Sequence, residues 1–72
     1  MEISYLKLWK LLLDKGMKKT DLLAVADIST TTLAKLSKNQ SVSMDVIGRL
    51  CKALSCDVGD IMEMIADTQS NG

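Results

Sequence analysis

Local preferences throughout this 72-residue sequence favour helix, and the expected architecture is all-α, with five short helices in one compact domain. Three observations lead there. Proline and phenylalanine are absent while Leu, Lys, Met and Ala abound, a composition that disfavours sheet. With 47% hydrophobic residues, the chain supports one core and is too short for two. Finally, a helix-start pattern recurs five times: a capping position flanked by two apolar residues at the spacing of a hydrophobic staple.

The first instance sets Ile3 and Leu8 around Ser4 and predicts a helix over 5–15, closed by Lys15 and by Gly16 as its left-handed end. Met17 and Leu22 around Lys18 predict a second over 19–26, and Lys18 alone among the five caps offers no side-chain acceptor. Ile28 and Leu33 around Ser29 predict a third over 30–38, ending at Lys38-Asn39. Val42 and Ile47 around Ser43 give the fourth, 44–54; Cys56 and Ile61 around Asp57 give the fifth, 58–65. One domain therefore spans 1–66, and the small, polar stretch 67–72 is expected to be a disordered tail.

Leu33, Leu36, Ile47, Leu50, Cys51 and Leu54 fall at helical spacing and are expected in the core. The first helix differs. Tyr5, Leu6, Leu8, Trp9, Leu11, Leu12 and Leu13 cover more of its circumference than one buried face requires, so it is either central or has a second partner.

Several function classes are excluded. No apolar run approaches the roughly 20 residues that span a bilayer, so a cytoplasmic chain with no membrane contact is expected. Cys51 and Cys56 lack metal-site spacing, and no His completes a set; no metal and no cofactor are expected, and the cysteines read as small hydrophobes in a reducing compartment. Without a positioned acid, base or nucleophile, the chain is not expected to be an enzyme.

Nine basic and nine acidic residues cancel, but they are segregated. From Lys7 to Lys52 the segment carries a net +5, whereas Asp57 to Asp67 carries −4. The positive segment contains a second feature. Its second and third helices are joined only by Ala26-Asp27-Ile28-Ser29, a sharp corner in which Asp27 tolerates a left-handed conformation. Beyond it, Ser29-Thr30-Thr31-Thr32 presents short hydroxyls, with Lys35 one turn on. Short side chains let a helix end approach a major groove closely, and Lys reaches a guanine edge or a phosphate.

Through Leu22, Ile28, Ser29, Leu33 and Leu36, this stretch resembles the helix-turn-helix of Cro/C1-type (Xre-like) bacterial and phage regulators, and the likeness extends through the fourth helix to Ile61. It departs from the family at Leu23, usually Ala, and at Asp27, usually Gly. The opening Tyr5 to Lys19 and the start Ser43-Met44-Asp45 are similar to a subgroup of very small stand-alone regulators that includes VanU-type proteins.

The resemblance implies a five-helix, lambda-repressor-like domain that binds double-stranded DNA as a transcriptional regulator, a repressor of its own or a neighbouring operon, with no small-molecule effector evident. It implies base contacts from Thr30, Thr31 and Lys35, with Thr32 a further candidate, and phosphate contacts from Lys18, Lys19, Ser29, Lys38 and Ser43. Lys18 and Lys19 also stand out physically, since two cations at a helix N-terminus oppose its dipole and folding alone gives no reason for them.

One recognition helix reads too few base pairs to find a genomic site, so a homodimer is expected. Its candidate interfaces are the first helix around Trp9 and the fifth around Met62, Met64 and Ile65, the latter favoured by the resemblance. The alternative reading is a protein-interaction module, an antitoxin or antirepressor that retains the fold, and the zero net charge is its support.

Overall fold

A computed structural model describes residues 2–66; the tail expected over 67–72 lies outside the described residues. In chain order it contains a short strand β1 (Glu2–Ser4), four helices α1 (Leu6–Asp14), α2 (Asp21–Val25), α3 (Thr30–Ser37) and α4 (Met44–Leu54), a 3₁₀ turn (Val58–Asp60) and a strand β2 (Glu63–Ile65). None of these helices is long and apolar enough to cross a membrane.

The expected all-α, five-helix architecture is corrected by β1 and β2. They pair antiparallel, with Glu2 opposite Ile65, Ile3 opposite Met64 and Ser4 opposite Glu63, in place of the fifth helix expected over 58–65. Val58, Gly59 and Asp60 are weak helix formers, and β1 offers unpaired backbone groups that only another extended segment satisfies. Asp57 does cap as expected, in a capping box with Asp60, but it opens only the 3₁₀ turn.

Of the other four starts, those at Ser29 and Ser43 fall where the staple pattern puts them, and those at Ser4 and Lys18 are displaced. Ser29 Oγ accepts from the Thr32 N–H at 3.1 Å, and Ser43 Oγ from the Val46 N–H at 3.3 Å. Ser4 stands one residue before the cap position, held by Tyr5, and its hydroxyl accepts from the Leu6 N–H at 3.3 Å. α2 begins later than expected, after Thr20, because Lys18 has no acceptor to offer; its own N–H bonds the Asp21 carboxylate at 2.8 Å.

A single core joins Tyr5, Leu8 and Leu12 with Leu22, Ala26, Ile28 and Leu36, the α4 stripe Ile47, Leu50 and Leu54, and Ile61. Tyr5 ties the first segment to the middle of the chain. Its hydroxyl donates to the Gln40 carbonyl at 2.8 Å, and its N–H to Asn39 Oδ1 at 3.2 Å. Burial raises the Tyr5 phenol above its ordinary pKa. The surplus apolar surface of α1 resolves into half-buried Trp9 and Leu11 and exposed Leu6 and Leu13.

Candidate nucleic-acid interface

α2 and α3 pack against each other across the corner Ala26 to Ser29, the two-helix arrangement expected there. Asp27 takes the left-handed conformation, with φ 54°. A non-glycine residue held there benefits from outside support, and α4 supplies it. Arg49 Nη1 donates to the Asp27 carbonyl at 2.8 Å, while its Nε pairs with Asp45 at 3.1 Å. The guanidinium is thus engaged in fixing the corner, a role the sequence reading missed; the i,i+4 spacing of Asp45 and Arg49 was its one visible signal.

Ser29 caps α3 and also donates its hydroxyl to Thr32 Oγ1 at 3.0 Å. Thr32 is half-buried and belongs to the cap, whereas Thr30, Thr31 and Lys35 are exposed. Thr31, Ala34, Lys35 and Lys38 recur at helical spacing and are all exposed. Leu36, on the opposite side, is completely buried. Ala34 was not singled out from sequence, although its spacing from Thr31 marks it; a methyl group on that stripe suits the thymine methyl.

Beyond Lys38, Asn39 is left-handed with φ 57°, and Tyr5 bonds both Asn39 and Gln40. The turn leading to Ser43 is therefore anchored to the core from the far end of the chain. Ser43 is exposed at the start of α4.

Lys18 and Lys19 are exposed ahead of α2, as expected, but folding accounts for part of their placement. Asp21 accepts from the Lys18 N–H and puts a negative charge in the first turn. Lys19 Nζ lies 4.2 Å from the centroid of the Trp9 ring, a contact worth about 0.5–1 kcal/mol at an exposed site. The expectation that folding gives no reason for these cations is corrected for Lys19. Trp9, one candidate dimer residue, is half-buried beneath it; of the others, Met62 is half-buried, and Met64 and Ile65 are exposed on β2.

Comparison with known proteins bears on this geometry. The Cro/C1-type HTH DNA-binding domain family matches residues 7–67. The chain is similar to the crystal structure of transcriptional regulator VanUg, Form II, at 47% sequence identity and a TM-score of 0.88, covering 92% of this chain and 88% of that one. No curated protein matches.

Proposed function

The chain belongs to the Cro/C1-type family of helix-turn-helix DNA-binding domains, and from that premise we propose that it is a cytoplasmic, sequence-specific transcriptional regulator that represses its own or a neighbouring operon. Its similarity to a VanU-type regulator supports the regulatory reading. Membership in a DNA-binding family, and not any missing side chain, sets enzymatic readings aside.

One observation carries the proposal: α3 exposes a stripe of small hydroxyl, methyl and cationic side chains behind a corner to which Arg49 donates a hydrogen bond. α3 lies in the major groove, where Thr30, Thr31 and Lys35 meet base edges, while Thr32 remains a cap partner. Phosphates are met by Lys18, Lys19 and Lys38 and at the helix starts marked by Ser29 and Ser43. The protein acts as a homodimer on two half-sites about 34 Å apart. Exposed Met64 and Ile65 with half-buried Met62 supply the joining surface, and Trp9 contributes from α1 only where Lys19 leaves its ring uncovered.

Binding titrations on duplexes with one or two half-sites test this. Lys35→Ala loses discrimination at one or two base positions, on the order of 1–3 kcal/mol, whereas Lys18→Ala weakens all sequences alike and lowers the salt slope by about one. Met64→Asp weakens binding to the paired half-sites and spares the single one. Equal, sequence-independent losses for Lys35→Ala and Lys18→Ala refute the placement of α3, and undiminished paired-site binding by Met64→Asp refutes the interface.

A further inference from the structure

Three helices end in the same way. Gly16, Asn39 and Ser55 are left-handed, with φ of 69°, 57° and 52°. Around each, a backbone N–H reaches back to an earlier carbonyl: Met17 to Leu12 at 2.8 Å, Gln40 to Lys35 at 2.9 Å and Cys56 to Cys51 at 3.0 Å. This closure sets the side chains of the two bonded residues against one another.

After α1 the pair is Leu12 and Met17, an apolar contact that joins the core. After α3 it is Lys35 and Gln40, which make no such contact, and the Tyr5 hydroxyl holds Gln40 instead. After α4 the pair is two free, half-buried cysteines. A backbone bond of 3.0 Å keeps their Cα atoms within roughly 7 Å of each other, about the reach of a disulfide. A surface cavity of about 390 Å³ between α1, the end of α4 and the 3₁₀ turn is lined by Lys7, Lys10, Asp14, Lys15, Asp60 and Cys56, so a small reagent has a route to Cys56.

We propose that Cys51 and Cys56 are a reversible oxidation site that closes an intramolecular disulfide when the folded protein meets a low-molecular-weight disulfide. One thiolate of the pair attacks the reagent's S–S bond and expels one small thiol, leaving a mixed disulfide. The second thiolate then attacks the protein sulfur and expels the other small thiol. The pair loses two electrons and two protons, and the reagent is reduced to two thiols. Burial pushes the Cys56 thiol up, and neighbouring Cys51 and Asp60 push it further, while Lys15 opposes them. The step in which Cys56 attacks is therefore slowed at neutral pH and accelerates as the solution becomes alkaline.

Oxidised glutathione, added to the full chain under native conditions and in strong denaturant, tests the proposal by mass and by thiol counting. The expected product is a monomer lighter by two hydrogens, with no titratable thiol and no retained glutathione. Because the native turn holds the two residues together, closure is favoured about tenfold more in the folded than in the unfolded chain, and the closed form melts several degrees higher. Cys51→Ser and Cys56→Ser each stop at a single adduct, so one remains informative if the other fails to fold. Stable glutathione on both cysteines, disulfide-linked dimers, or a lower melting temperature after closure would overturn the assignment. These readouts do not involve DNA and stand apart from the proposed regulatory role.

Discussion

Ser29 and Asp57 perform the same local task with different results: eight helical residues succeed the first, and a 3₁₀ turn of three succeeds the second. Ser29 satisfies the Thr32 N–H, and Asp57 and Asp60 satisfy each other's backbone in a capping box. By cap chemistry alone, the second start is the stronger. The residues after each cap decide the outcome. After Ser29, half-buried Leu33 and fully buried Leu36 reward continuing the helix. Among the described residues after Asp57, Val58 is exposed, only Ile61 is fully buried, and β1 offers a ladder that a helix would leave unmade. A cap sets where a helix begins, and competition for burial and backbone partners sets how far it runs.

The contrast between the two starts fails if the C-terminal segment proves to be an appendage. Leu36 and Ile61 are both fully buried, so Leu36→Ala and Ile61→Ala should each cost about 2–5 kcal/mol in denaturant unfolding. A cost below about 1 kcal/mol for Ile61→Ala, the range of a surface change, would detach the 3₁₀ turn and β2 from the core.

The tie between the two regions is tested at Tyr5. Tyr5→Phe removes the bond to Gln40 and should cost about 0.5–1.5 kcal/mol near neutral pH. Burial raises the folded-state pKa of this phenol. Above its unfolded value of about 10, the unfolded chain holds fewer protons than the native one, so stability falls as pH rises. Unfolding measured between neutral and strongly alkaline pH should show that loss in the parent and less of it in Tyr5→Phe. Parallel curves would mean that the phenol is not linked to folding.

The smallest effects separate the caps themselves. Ser29→Ala should cost about 1 kcal/mol, and Asp57→Ala less, since only a three-residue turn depends on it. An Asp57→Ala cost that exceeds the Ser29→Ala cost would show that the capping box, and not the strand pair, holds the C-terminal segment.

The helix starts at Ser29 and Ser43, the left-handed ends at Gly16 and Asn39, and the strained corner at Asp27 were legible in the sequence. Each depends on groups within about one helical turn, and side-chain type plus spacing specifies such contacts. The same locality made Thr30, Thr31 and Lys35 recognisable as an exposed chemical face. Arg49 bracing Asp27, Lys19 over Trp9, Tyr5 bonded to Gln40 and β1 paired with β2 required the folded molecule. These pairs meet across sequence separations as large as that between Glu2 and Ile65, and no local pattern in either segment names its partner. Local chemistry therefore placed the elements proposed to read DNA. The closure of loops far longer than a turn decided which backbone groups β1 would satisfy, and with that whether the last segment was a helix or a strand.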